Sequence, residues 1–254
     1  MRSCLWRKSQ MRIRLNAHLK NEKGSGTTVF MVGMVLAALF LAIIFFDFST
    51  IFVNKRVTQT GADAAALAAA KSSTNSMREK LKEETQEELD ELGERWEDFL
   101  EAANAPGEPP AEGETPPPAP TTEELLRAFI EMVELQKGKN MPGSIERWLL
   151  NHSVSVEAEE AMKFFFSDAE VSDMSCKAVR DNLDEAREEA EKFAERNDND
   201  RVIDFQFIPH QFRMYVETDR KGKYTTVSDE GVPAISSESS ARIGEPAGFD
   251  ISCS

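Results

Sequence analysis

The sequence predicts an α+β protein: a single N-terminal transmembrane helix continuing into an Ala-rich helix, then a helical region and a small C-terminal antiparallel sheet. Three observations lead to this prediction. An apolar run lies near the N-terminus, apolar side chains then recur at helical spacing, and the pattern changes to a period of two near the C-terminus. The predicted regions are a basic cytoplasmic head (1–26), a transmembrane helix (27–53), membrane-proximal helices (54–103), a Pro-rich linker (104–121) and an extracytoplasmic α+β domain (122–254).

The transmembrane helix is predicted from the run between Gly24 and Phe46, which has 23 consecutive residues without a charge. About 20 apolar residues cross the hydrocarbon core of a bilayer. The run is apolar on every face, whereas a surface helix of a globular protein keeps a polar stripe. A cleaved signal peptide is the alternative, but its apolar region has about 7–15 residues and a small-residue cleavage site follows it. Here the run is longer and Asn54, Lys55 and Arg56 follow it, which favours an anchor.

Charge predicts the orientation of this anchor in the cell membrane. Residues 1–26 carry seven basic side chains and one acidic side chain, whereas only Lys55 and Arg56 lie just beyond the helix. Because Lys and Arg concentrate on the cytoplasmic side, we expect the N-terminus in the cytoplasm and the body outside it. Residues 57–254 have 21 basic and 43 acidic side chains, a net charge of −22. Such a body repels nucleic acid, so we expect the lipid bilayer and other proteins as partners, and no nucleic acid.

Asp47 is an ionisable residue near the end of the apolar run. An ionisable group inside a bilayer is costly and by default suggests a function. The alternative is that Asp47 already lies at the membrane interface, since 23 uncharged residues precede it. Its position along the run favours the interface.

The membrane-proximal residues carry a specific family resemblance. Gly24, the apolar run, Asp47, Gln59 and the string Ala62-Asp63-Ala-Ala-Ala-Leu67-Ala-Ala-Ala70 follow one another in a fixed order. This order resembles the N-terminus of TadE/TadG-like proteins of Flp (tight-adherence) pilus assembly. The resemblance covers residues 20–71 and implies a membrane-anchored protein that acts with other pilus-assembly membrane proteins. The positions that match the family pattern are Gly24, Asp47, Gln59, Ala62, Asp63 and Leu67.

One departure from the family pattern indicates which branch the chain resembles. Pilin-like members that a prepilin peptidase cleaves have Glu five residues beyond a Gly. Here the fifth residue after Gly24 is Val29, and the fifth after Gly26 is Met31. The resemblance therefore implies the TadG-like branch, which stays embedded in the envelope and supports the pilus without forming its shaft.

The body is predicted to be helical up to residue 196. Residues 75–103 show an apolar stripe at Leu89, Leu92, Trp96 and Phe99, which predicts packing onto the domain's own helices. Self-association of two chains through this stripe remains the alternative. Prolines concentrate in 104–121, which predicts an extended linker. Further helices are expected at 122–135, 145–150, 157–166 and 176–196. The first of these is predicted to bury Leu125, Leu126, Phe129, Ile130, Val133 and Leu135.

Strands are predicted after the turn at residues 197–200. Side chains alternate between apolar and polar in 202–207 and again in 212–216, and a third candidate strand lies at 224–227. The C-terminal third is therefore expected to form a small antiparallel sheet on the preceding helices.

The sequence contains no recognisable catalytic or metal constellation. His18, His152 and His210 lack metal-ligand spacing. No Gly-rich phosphate loop or nucleophile elbow occurs, so we expect neither an enzyme nor a cofactor. Cys176 and Cys253 both lie in an oxidising compartment on the predicted topology, where a disulfide would attach the tail to a helix.

Three classes of function follow. The first is a structural accessory of Flp/Tad-type pilus assembly, anchored in the envelope. The second is a membrane-tethered binding module, such as an adhesin or sensor, unrelated to pili. The third, a tethered hydrolase, is disfavoured because the sequence lacks the residues of a hydrolytic site.

Overall fold

The fold is taken from a computed structural model that describes residues 25–105, 120–222, 224 and 231–253. Most of the predicted basic head, including Gly24, and most of the predicted Pro-rich linker lie outside the described residues. The chain divides into two compact units. The first comprises Met1–Arg56 and Lys221–Ile235, and the second comprises Val57–Arg220 and Ser236–Ser254.

The longest element is α1 (Ser25–Asn104), an uninterrupted helix of 80 residues. No proline occurs between its ends, and the first proline of the sequence, Pro106, follows its last turn. Its apolar part reaches a mean hydropathy of 2.9 over 18 residues, and none of these 18 residues is buried. By length and composition, this part of α1 is able to cross a membrane. The predicted transmembrane and membrane-proximal helices are therefore one element.

Five shorter α-helices follow α1 among the described residues. Two of them begin with a capping box: Thr121 with Glu124, and Ser167 with Glu170. In each box the hydroxyl accepts from the backbone N–H of the glutamate, whose carboxylate accepts from the backbone N–H of the cap residue. The helices are α2 (Thr122–Lys137), α3 (Gly143–Leu150), α4 (Ala158–Phe165), α5 (Asp168–Asp181) and α6 (Leu183–Arg196).

Two details of the helical predictions are wrong. Leu135 is 79 % exposed, because it lies on the opposite side of α2 from the buried Phe129 and Val133. The single helix expected at 176–196 is divided between α5 and α6 at Asn182. This asparagine is buried, leaves helical geometry with ψ of 8°, and its Nδ2 donates to Ser72 Oγ at 3.1 Å.

The sheet has three strands in the order β1-β2-β3. β1 and β2 are antiparallel, with Phe205 opposite Val216 and a register shift between Val202 and Asp204. The sheet and the helices confirm the predicted α+β class. The candidate strand at 224–227 lies outside the described residues except for Tyr224, which belongs to no strand. The strands are β1 (Arg201–Ile208), β2 (Arg213–Arg220) and β3 (Ile235–Arg242).

The described residues of the second unit form two hydrophobic cores. The first combines the alanines of α1 with α5, α6, the inner face of β2 and the C-terminal tail, which is residues 243–253. The second forms where Leu89, Leu92 and Trp96 of α1 meet α2, α3 and α4. The apolar stripe of residues 75–103 thus packs within its own chain, as its spacing predicts.

Candidate functional site

The alanine-rich segment of α1, residues 57–71, presents one buried and one exposed face. An alanine side chain ends at Cβ, so neighbouring groups approach this helix more closely than they approach a helix of larger residues. The alanines of the buried face are Ala62, Ala65, Ala66, Ala69 and Ala70, and the last four contribute to the first hydrophobic core.

α6 runs antiparallel beside this segment. Asn182, which precedes α6, bonds to Ser72, and Asn199, which follows α6, bonds to the backbone oxygen of Thr58. α6 adds its own stripe of small side chains to the same core, at a spacing of four residues. These residues are Ala186, Ala190 and Ala194.

At Gly61 the side chain of Asn199 lies directly against the alanine-rich segment. The amide of Asn199 lies against it, and a Cβ at position 61 would overlap that amide. Asn199 is buried, and its Nδ2 donates to Thr58 O at 3.0 Å and to Thr218 Oγ1 at 2.6 Å. One side chain thus joins α1, the turn after α6 and β2. The sequence analysis missed this pair. A glycine within a segment of strong helix-forming residues is itself a signal that another group approaches the backbone closely.

Gln59 links the segment to β3. Its Nε2 donates to Asp63 Oδ1 at 3.0 Å and to the backbone oxygen of Glu238 at 3.1 Å. The carboxylate of Glu238 in turn accepts from the Tyr215 hydroxyl at 2.8 Å. This hydrogen bond to a carboxylate raises the pKa of Tyr215 to about 12. Asp63 itself is exposed.

Leu67 is 64 % exposed and lies one turn after Asp63 on the same face of α1. Neither Asp63 nor Leu67, two positions expected from the resemblance to match the family pattern, fills a core. Leu67 borders a groove of about 590 Å³ between α1 and α6. The groove is lined by Ala64, Leu67, Ala68, Lys71, Ser72, Asn75, Ser76 and Glu79 of α1, and by Glu185, Glu189 and Phe193 of α6.

Two polar side chains of α1 within the first unit, those of Asp47 and Asn54, are buried. Asp47 is 8 % exposed, whereas its neighbours Phe46 and Phe48 are largely exposed. Asn54 is also buried, and the segment at Gly222 and Tyr224 approaches its amide. A Cβ at Gly222 would lie 2.7 Å from Asn54 Nδ2. Asp47 and Asn54 are thus buried on a part of α1 whose large apolar side chains are exposed.

The C-terminal tail packs into the second unit. A disulfide joins Cys176 of α5 to Cys253, with their Cα atoms 5.7 Å apart. The backbone N–H of Gly244 donates to Thr74 Oγ1 at 2.9 Å, which ties the tail to α1 as well. The tail therefore closes the first core.

The two described histidines lie apart from these features. His152 stacks on Trp148 with ring centroids 4.4 Å apart, and His210 bonds to Gln211 at 3.1 Å. Within the described residues, no group of three or more His, Cys, Asp or Glu side chains is arranged to hold a metal ion.

The N-terminal part of α1 matches the model of a known protein family. Residues 24–72 match the family model described as "Putative Flp pilus-assembly TadE/G-like". The resemblance carried by the apolar run and the alanine string is therefore confirmed, over about one fifth of the chain. The search of curated proteins found no match, and neither did the search of solved structures.

Proposed function

We propose that this protein is a structural, non-catalytic accessory of Flp/Tad-type pilus assembly or secretion, held in the cell membrane by a single pass of α1. The observation that supports it best is the position of Asp63 and Leu67. Both lie inside the matched segment, on the face of α1 opposite its buried alanines. Leu67 is largely exposed and serves no internal packing, and on this proposal it contacts a partner protein together with Asp63.

The orientation that we propose follows from the charges. The seven basic residues of the N-terminal head remain in the cytoplasm, and the acidic body lies outside it. Asp47 lies near the outer end of the span, where the membrane interface reduces the cost of a charge. The Pro-rich residues 104–121 act as a linker, and residues 122–254 act as the extracytoplasmic domain.

The branch within the family is part of the proposal. Because no glutamate follows Gly24 or Gly26 at the fifth position, the chain escapes prepilin-type processing and stays embedded. This favours a TadG-like role in supporting or anchoring the pilus, in contact with other pilus-assembly membrane proteins.

The test is an in-frame deletion complemented in trans, with surface fibres counted by negative-stain electron microscopy. We expect fibres to disappear and to return with the wild-type chain. Leu67→Glu and Asp63→Leu should restore fewer fibres although the protein inserts normally. Leu135→Glu is the matched control, since Leu135 is exposed on α2 outside the matched segment. Normal fibres in the deletion strain would reject the pilus role and favour a membrane-tethered binding module.

A further inference from the structure

The groove between α1 and α6 is long enough to contact several turns of a helix. Its α1 wall extends from Ala64 to Glu79, which corresponds to about 22 Å or four helical turns. Its α6 wall extends from Glu185 to Phe193. At the end near Ala64 the lining is apolar, with Leu67 rising from α1 as an exposed side chain. An amphipathic helix binds such a groove through apolar anchors spaced three and four residues apart.

The charges of the groove select the partner. Its lining includes three carboxylates, Glu79, Glu185 and Glu189, against one ammonium group, that of Lys71. Lys192 pairs with Glu189 at 2.7 Å, and Arg196 lies over the Phe193 ring at 5.3 Å. A neighbouring surface on α1 adds Glu83, Glu87 and Asp90 against Lys82, so carboxylates remain in excess along this side of the helix. Potential across an interface is complementary in stable complexes, so this surface favours a basic partner.

We propose that the groove binds an amphipathic helix of another protein, one with a ridge of small and apolar residues flanked by Lys or Arg. The ridge packs against Ala64, Leu67 and Ala68, and the flanking cations pair with the carboxylates of both walls. The inference rests on the proposed function for its premise that the Leu67 face meets a partner. It adds where that partner binds and what chemistry it presents.

A second copy of this chain is the competing occupant, and the charges disfavour it. In a twofold pair the same surface meets itself. Each lining has three carboxylates and Lys71, and Lys192 pairs with one of the carboxylates, so two facing copies would still bring net negative charge against net negative charge. Like charges placed opposite each other across an interface are destabilising. A basic helix removes this repulsion and adds attraction.

The test measures binding of two designed probes to the full chain in zwitterionic nanodiscs by fluorescence anisotropy, with empty nanodiscs subtracted. Both probes are helical peptides of about 18 residues with the same Ala/Leu ridge. One has Lys at the flanking positions and its twin has Glu. We expect the Lys probe to bind the wild-type chain and Leu135→Lys equally. Leu67→Lys should weaken binding of the Lys probe at least about tenfold, as expected for the loss of an apolar anchor.

A charge exchange tests the selectivity of the groove. In the double variant Glu79→Lys with Glu185→Lys, we expect preference to shift from the Lys probe to the Glu probe. Circular dichroism checks that each variant keeps the helical content of the wild type.

Three results would overturn the inference. They are equal binding of the two probes, binding of the Lys probe that Leu67→Lys leaves unchanged, and an interchain disulfide formed by Leu67→Cys in a Cys4→Ser background. Fibre loss in the deletion strain combined with unselective probe binding would reject this inference alone. Charge-selective binding combined with intact fibres would reject the pilus role and leave the helix site in place.

Discussion

At the scale of single residues, the contact between Gly61 and Asn199 holds the alanine-rich segment in position. Helix propensity alone predicts that Gly61→Ala stabilises the chain by about 1 kcal/mol. The structure predicts the opposite, because the new Cβ displaces the Asn199 amide from Thr58 and Thr218. We expect a loss of about 1–3 kcal/mol in the free energy of unfolding, measured by thermal melting of the full chain.

A double-mutant cycle provides the control for this prediction. Gly61→Ala should cost little in an Asn199→Ala background, because the overlapping amide is gone. Gly143→Ala is the matched glycine variant, since a Cβ there meets nothing within 4 Å. A rise in melting temperature for Gly61→Ala alone would show that the Asn199 contact does not constrain α1.

The hydrogen bond between Tyr215 and Glu238 makes a prediction about pH. The pKa of Tyr215 is raised to about 12 in the folded chain, above its ordinary value of 10. The stabilisation of the folded chain by this hydrogen bond is therefore fully present below pH 10 and is lost as the pH rises through about 12. In a Tyr224→Phe background, Glu238→Gln should lower the pKa of Tyr215 toward its ordinary value. Ultraviolet titration of the tyrosinate measures this, and an unchanged titration midpoint would contradict the assigned cause.

Residue-scale features of this kind are the least accessible to sequence reasoning. Thr58 and Asn199 are separated by 141 positions, and no local pattern relates them. The alanine string, by contrast, is contiguous, so its helix and its family resemblance are readable directly. Which alanines are buried and which neighbours are exposed depends on α6 and the sheet. The sequence therefore predicts the segment but not its two faces.

At the scale of elements, caps and breaks decide where the helices begin and end. Thr121 with Glu124 is a local signal, and the predicted start of α2 agrees with it. The break at Asn182 depends instead on a hydrogen bond to Ser72, 110 positions earlier. The dense Glu and Arg residues of α6 predict a solvated face, and they conceal the buried stripe of Ala186, Ala190 and Ala194.

The capping box of α5 makes a prediction at this scale. Ser167→Ala removes the acceptor for the Glu170 backbone N–H and should lower stability by about 1 kcal/mol at neutral pH. The Ser167 backbone and hydroxyl hydrogen bonds lower the pKa of Glu170 below its ordinary value of 4.5. A lowered pKa stabilises the folded chain above pH 4.5, and this contribution is lost as the pH falls through the folded value.

The pH dependence separates the cap from a general effect of the substitution. The difference in melting temperature between wild type and Ser167→Ala should therefore narrow in acid. Ser153→Ala is a control at a serine whose backbone N–H bonds to Asn151 and whose hydroxyl caps no helix. A difference that stays constant between neutral and acidic pH would show that Glu170 does not take part in the cap.

At the scale of the whole molecule, one disulfide attaches the C-terminal tail to α5, and its formation depends on the cellular compartment. The disulfide between Cys176 and Cys253 closes a loop of 77 residues around the first core. Closing a loop of this length restricts the unfolded chain, and native disulfides typically contribute about 2–4 kcal/mol. Reduction should thus lower the melting temperature of the wild-type chain and leave a Cys176→Ser, Cys253→Ser variant unchanged.

The same bond tests the membrane orientation, because disulfides persist outside the cytoplasm and are rare inside it. In a Cys4→Ser background, Cys176 and Cys253 are the two cysteines that remain in the chain. Cells are quenched with acid, and the denatured chain is treated with a polyethylene-glycol maleimide before and after reduction. With the body outside the cytoplasm, we expect a gel shift only after reduction. A variant in which the seven basic residues of the head are replaced by glutamine should lose part of this protection, since its orientation signal is weaker. Full labelling of the Cys4→Ser chain without reduction would reverse the proposed topology.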